Sequence, residues 1–247
     1  MWYLIDSGFK DPYYNMAYDE SLLDAVQDRE TVFLRFFNFR VPSISIGYHQ
    51  KIDSWLLDLE REGVRWVRRQ TGGRAVIHSN DFTYSLVFHH DNSLIGGDVI
   101  DSYKKIAPGF KRAFDRLDIP TTIQRGKAHP RKLMKSVFCF SVPSLAEVVW
   151  KRKKIIGSAQ FRKKGIVLQE GTIMLREPGS IFPRIPEMAT IKEAKKGEVS
   201  LDEMKEAVTI GFEQTFHICF KDYPKNPIRK ELISKYSSIK WNLEGSL

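Results

Sequence analysis

The chain has 247 residues, 42% of them hydrophobic, which is enough for one large domain or two small ones with a real core. No stretch approaches the roughly 20 apolar residues that a membrane-spanning helix needs. Its 39 Lys and Arg against 30 Asp and Glu give a net charge of +9, read either as a solvated basic surface or as attraction for an acidic partner such as nucleic acid or a small acidic carrier protein.

The N-terminus, Met1 to Asp6, has neither a basic stretch nor a long apolar run, so no signal peptide is expected and a cytoplasmic location follows. Cys139 and Cys219 are then expected as free thiols. Apolar residues at helical spacing (Met16, Leu22, Leu23, Val26) predict a helix over 15–26. Segments 31–37 and 43–48 read as strands punctuated by Pro42. Segments 65–69 and 75–78 read as a strand pair joined by a turn at Gly72 and Gly73, followed by a strand over 82–88. Ile106, Phe110, Phe114 and Leu117 share one face of a helix over 103–117, with a kink expected at Pro108. Segment 119–144 carries Arg125, Lys127, Arg131, Lys132 and Lys135 and reads as a mobile basic loop. Three short strands follow at 146–150, 154–161 and 166–174, then an extended surface segment marked by Pro178, Pro183 and Pro186. Ser200 with Glu203 makes a capping box that opens a helix to about residue 216. Strands outnumber helices and lie in runs, which predicts an α+β fold, a mixed or antiparallel sheet with flanking helices.

Four segments carry candidate chemistry. In Arg68-Arg69-Gln70-Thr71-Gly72-Gly73-Arg74-Ala75-Val76-Ile77-His78, paired glycines permit close backbone approach to a ligand. A glycine hairpin with a charged rim is the competing reading, and the segment matches neither nucleotide-binding fingerprint. Cys139 is flanked by five basic side chains upstream and Lys151 to Lys154 downstream, a setting that favours the thiolate; alternatively it is a buried small hydrophobe. Cys219 lacks that setting and reads as structural. In Lys154-Ile155-Ile156-Gly157-Ser158-Ala159-Gln160 a lysine ahead of three small residues suggests a cation held against close-packed backbone, although four cations in a row more often make a solvated turn; a surface-facing Lys154 is expected to contribute little to stability. Gly171-Thr172 ends an apolar strand and means little alone.

In chain order these segments resemble the biotin/lipoate cofactor-transferase superfamily over nearly the whole chain. The likeness includes Asn15-Met16-Ala17-Tyr18-Asp19-Glu20, Leu34-Arg35-Phe36 and Pro42 to Tyr48, together with the two glycine-containing elements above. The order of Cys139-Phe140, Pro143-Ser144, Glu147 and Lys154 is similar to octanoyltransferases of the LipM type. The family often has a histidine where this chain has Glu170.

The resemblance implies one cofactor-transferase catalytic domain over 1–247 without a separate C-terminal accessory domain. It implies transfer of octanoyl from octanoyl-acyl carrier protein to a lysine of a lipoyl-carrier domain, either the glycine cleavage H protein or a 2-oxoacid dehydrogenase E2 subunit. It assigns Cys139 as nucleophile and Lys154 as the cation beside it. Arg68, Arg69, Thr71, Gly72, Gly73, Arg74, Ala75, Gly157, Ser158, Ala159, Gly171 and Thr172 become substrate-binding positions, with Gly72, Gly73 and Ala75 walling an acyl tunnel. His78 reads as a substrate-positioning group or as a satisfied structural histidine. No cofactor and no metal are expected, since a thioester donor is already activated. The rivals are an ATP-dependent lipoate ligase, an amidotransferase acting between lipoyl domains, and a nucleic-acid-binding module. The last is disfavoured because no Phe, Tyr or Trp lies between Pro120 and Ser136, where the basic residues cluster.

Overall fold

The computed structural model describes residues 1–124, 147–183, 185 and 188–245. Strand β1 (Trp2–Lys10) ends at Asp11, whose carboxylate accepts the Tyr13 amide at 2.9 Å while Pro12 takes the first helical position. This cap starts helix α1 (Pro12–Leu23) earlier than apolar spacing suggests. Next come β2 (Val32–Phe39), β3 (Ser43–Ile46), α2 (Ser54–Arg61), β4 (Arg65–Arg68), β5 (Val76–His78), β6 (Asp81–His89) and α3 (Val99–Arg116). Helix α3 continues across Pro108 and is capped by Asp98, whose carboxylate accepts the Asp101 amide at 2.8 Å. The rest comprises β7 (Thr122–Ile123), β8 (Val148–Trp150), β9 (Lys153–Lys154), β10 (Ile156–Lys163), β11 (Ile166–Met174), α4 (Ile191–Lys195), α5 (Leu201–Phe216), β12 (Lys221–Asp222), α6 (Lys230–Ser237) and α7 (Ile239–Glu244). The capping box of Ser200 and Glu203 forms in both directions. Cys139 and most of the basic loop lie outside the described residues.

The fold is α+β. A main sheet of six strands has the order β10-β11-β6-β2-β1-β12, antiparallel from β10 to β2 and parallel from β2 to β12. A second sheet has the order β4-β3-β5, and a third β7-β8-β9. The expected pairing of β4 with β5 is corrected here: β3 lies between them, parallel to β4 and antiparallel to β5. The glycine segment between them is therefore a loop that crosses over β3, not a hairpin turn.

Helices α3 and α5 cover one face of the main sheet, where Phe36, Tyr84, Phe110, Phe114 and Phe212 form the largest core. Helix α1 covers the other face, where Tyr18 and Leu22 meet Phe33, Val87 and Leu168. The second sheet has its own core around Ile44, Ala75 and Met174. Phe182 and Ile185 turn inward to join that core, so the proline-marked segment is only partly at the surface.

Under α1, Arg35 is completely buried, with a hydrogen-bond partner at every guanidinium nitrogen. Its guanidinium donates to Asp19 at 2.7 Å, to the Asn15 side chain at 2.8 Å and to Ser7 at 2.8 Å. Ser85 donates to the same Asp19 oxygen at 2.6 Å. A buried charge is tolerable only with such partners, which explains why Asn15, Asp19 and Arg35 occur together.

Candidate active site

The loop from Arg69 to Ala75 is shaped from within. The Arg69 guanidinium donates to the carbonyls of Gly72 and Arg74, both at 2.8 Å, to the Ser45 carbonyl at 2.8 Å and to Thr71 Oγ1 at 3.0 Å. A side chain at Gly47 would run into the Gly73 carbonyl, and Gly73 itself has φ +87. Glycine at both positions lets the loop lie flat against the end of β3.

Arg68 points the other way. Its guanidinium reaches the carbonyls of Gly47, Tyr48, Gln50, Asn242 and Leu243 at 2.7–3.1 Å. Asn242 Oδ1 accepts from the Arg68 amide, and Trp241 donates to the Arg68 carbonyl, both at 2.8 Å. Arg68 thus ties α7 to the end of β4.

Beside the loop, between the main sheet, α1 and the second sheet, lies a small cavity of about 20 Å³, room for roughly one water molecule. Of the residues singled out from sequence, Arg69, His78, Gly157, Ser158, Ala159, Gly171 and Thr172 line it. Thr71 reaches it through Glu170. Arg68, Gly72, Gly73, Arg74 and Ala75 are not in its wall, and Ala75 sits in the second core instead. Val76, next to Ala75, lines the cavity.

Sequence reasoning missed Met16, Phe37, Phe39, Ser45 and Thr83, which complete the lining. Met16 and Ser45 lie within the segments that carry the family resemblance. Phe37 and Phe39 alternate on one face of β2, a period-2 signal that was available in the sequence.

Lys154 is 3% exposed, so the expectation of a surface-facing lysine is corrected. Its ammonium pairs with the buried carboxylate of Glu147. It lies three residues before Gly157 of the cavity wall, a reach of at most about 10 Å. Cys219, read as structural, has its free thiol exposed.

His78 is buried with both ring nitrogens engaged: Nδ1 with Asp81 at 2.8 Å and Nε2 with Ser45 Oγ at 2.8 Å. Phe39 stacks on the ring at 3.8 Å between centroids. The tautomer that satisfies every contact donates from Nδ1 to Asp81 and accepts from Ser45 at Nε2. The side chain is therefore fixed in place while still facing the cavity.

Glu170 is 8% exposed and faces the cavity, accepting a 2.5 Å bond from Thr71. Burial first, then the nearby Asp19 carboxylate, push its carboxyl up to about 7; Arg69 and the Thr71 bond oppose this. Asp19 Oδ2 is buried and receives no hydrogen bond from a fixed donor among the described residues. A protonated Glu170 supplies that donor.

Residues 11–213 match the model of the lipoyl protein ligase A/B catalytic domain. The chain is 32% identical to the octanoyltransferase LipM of Geobacillus kaustophilus, covering 99% of this chain and 98% of that one. It is 40% identical to the octanoyltransferase LipM of Moorella thermoacetica over 70% of this chain and 65% of that one. A crystal structure of lipoate-protein ligase A bound with ATP shares the fold, with TM-score 0.78 at 24% identity over 98% and 97% of the two chains. Among the described residues no helix is long and apolar enough to cross a membrane. A matching family model over most of the chain, relatives alike along its length and a cavity built from the matching segments lead to one conclusion: the chain belongs to the lipoyl protein ligase A/B catalytic domain family.

Proposed function

We propose that this enzyme is an octanoyltransferase of lipoate biosynthesis, moving octanoyl from octanoyl-acyl carrier protein to one lysine of a lipoyl-carrier domain, such as the glycine cleavage H protein or a 2-oxoacid dehydrogenase E2 subunit. The observation that carries this reading is the cavity with an apolar wall of Met16, Phe37, Phe39, Val76 and Ala159, close in the chain to the buried Lys154. The full-length likeness to bacterial octanoyltransferases supports it.

In this reading the Cys139 thiolate adds to the thioester carbonyl of the donor. The bond from carbon to the carrier sulfur breaks, and the carrier leaves as its thiol with the proton that Cys139 gave up. The acceptor lysine, as free amine, then adds to the new thioester. A carbon–nitrogen bond forms, the bond to Cys139 breaks and the surplus proton returns to that sulfur. One difficult step becomes two easier ones, and the donor thioester supplies the activation that ATP supplies to a free acid. The Lys154 ammonium favours the thiolate and stabilises negative charge developing on the carbonyl oxygen. Glu147, eight residues after Cys139, holds that ammonium in position. Arg69 and His78 fix the wall beside the acyl group. The basic excess serves encounter with acidic carrier proteins.

The test compares two donors with a lipoyl domain as acceptor. Octanoyl-acyl carrier protein without ATP should support transfer and leave an octanoyl adduct on the Cys139 peptide that hydroxylamine removes. Cys139→Ala should lose both, and Cys219→Ser should keep both. Transfer only from octanoate plus ATP would make the protein a ligase instead.

A further inference from the structure

The end of β6 carries three metal-ligating side chains in succession, His89, His90 and Asp91. They stand well away from the cavity. Thr83 of the same strand lines the cavity, and His89 lies six residues further on, roughly 20 Å at about 3.4 Å per residue.

Backbone hydrogen bonds hold this segment from both sides. The His90 amide donates to the Gly165 carbonyl, and the Gly97 amide donates to the His90 carbonyl, both at 2.7 Å. The Asn92 amide donates to the His89 carbonyl at 2.9 Å. The turn between β10 and β11 and the lead-in to α3 thus fix the backbone from which the three side chains project. A metal ion would not have to order that backbone, which is the condition for a preorganised site.

The ligand atoms also converge. His90 Nδ1 stands 3.5 Å from Asp91 Oδ1, and His89 Nδ1 stands 3.9 Å from Asp91 Oδ2. One ligand atom from each residue lies within 4.8 Å of the other two. Two ligands about 2.1 Å from a tetrahedral zinc ion stand about 3.4 Å apart, so small side-chain rotations close the set. His89 Nδ1 accepts the Asp91 amide at 3.1 Å, so a lone pair and not a proton faces this group. The side chains of His90 and Asp91 are 47% and 44% exposed, which leaves a path for the ion and room for a water as fourth ligand. The Arg29 guanidinium lies 3.8 Å from Asp91 Oδ2, but its side chain is 72% exposed and can turn into solvent.

We propose that His89, His90 and Asp91 form a binding site for a divalent transition-metal ion of the zinc type, separate from the acyl-transfer site. Two imidazoles and one carboxylate suit such an ion, whereas magnesium and calcium favour sites built from oxygen alone. Bound there, the ion locks the segment that joins β6 to its neighbouring turn and to the lead-in of α3. It therefore stabilises the folded chain without entering the reaction.

The test is equilibrium dialysis of the full chain against zinc chloride, read by metal analysis, together with urea unfolding with and without zinc. One zinc per chain should be retained in the presence of excess magnesium, and zinc should raise the urea midpoint. Both effects should persist after the thiols of Cys139 and Cys219 are alkylated, since neither is a ligand. His90→Ala and Asp91→Asn should each weaken zinc binding about tenfold or more and remove the rise in midpoint. Zinc retention unchanged in both variants, or lost on alkylation, places the ion elsewhere and overturns the site. No zinc retained by the unaltered chain overturns it as well.

Discussion

Glu170→Gln offers a quantitative check on the chemistry of the cavity floor. In the folded protein the carboxyl is pushed up to about 7 from 4.5, so between those values the native state holds a proton that the unfolded chain has released. Stability must then fall as pH rises through this window and level off above it. The shift of about 2.5 units, at 1.36 kcal/mol per unit, amounts to about 3 kcal/mol. Glutamine reproduces the protonated acid in both contacts: its oxygen accepts from Thr71 and its amide donates to the otherwise unserved Asp19 Oδ2. It cannot ionise. Urea unfolding at pH 4, 5, 6, 7 and 8 should show the unaltered protein losing about 3 kcal/mol more than Glu170→Gln across the range, with the two nearly equal at pH 4. Parallel pH curves would refute the assignment of a buried, protonated Glu170.

Three other outcomes follow from the geometry. Lys154→Ala strands the Glu147 carboxylate in the interior and should cost about 3–5 kcal/mol in urea unfolding, with part of that recovered in Lys154→Ala/Glu147→Gln. Gly171→Ala drives a methyl into the Tyr84 ring and should cost about 1–3 kcal/mol, whereas Gly179→Ala, where a methyl meets nothing within 4 Å, should leave the urea midpoint unchanged. Raising salt through physiological strength, where the Debye length is about 8 Å, should lower kcat/KM for the carrier-protein donor but hardly for a small octanoyl thioester; equal sensitivity would remove steering as the reason for the basic excess.

The architecture was readable where a local rule decides it. The capping box at Ser200, the strands read over 31–37 and 82–88 and the helical spacing of α3 all reappear as expected. The pairing of β4 with β5 was misread because a glycine turn between two strands specifies nearness, not adjacency, and β3 could slip between them. Helix α2 went unseen because Leu56 is its only buried residue. For the site, glycine and arginine types were visible, but their directions were not. Arg68 and Arg69 are neighbours on a strand and so face opposite ways, one toward α7 and one toward the cavity. The burial of Lys154 depends on Glu147, whose partner no spacing rule reveals.

The bond from Arg68 to Asn242 joins residues 174 positions apart. At synthesis rates of about 5–20 residues per second, Asn242 follows Arg68 by roughly 10 to 35 seconds. Throughout that interval the ribosome holds a chain whose glycine loop is already made but whose brace is not. The carbonyls of Gly47, Tyr48 and Gln50 share Arg68 with α7, so the end of β3 also waits for the last helix. The brace at the end of β4 is therefore among the last contacts the growing chain is able to make.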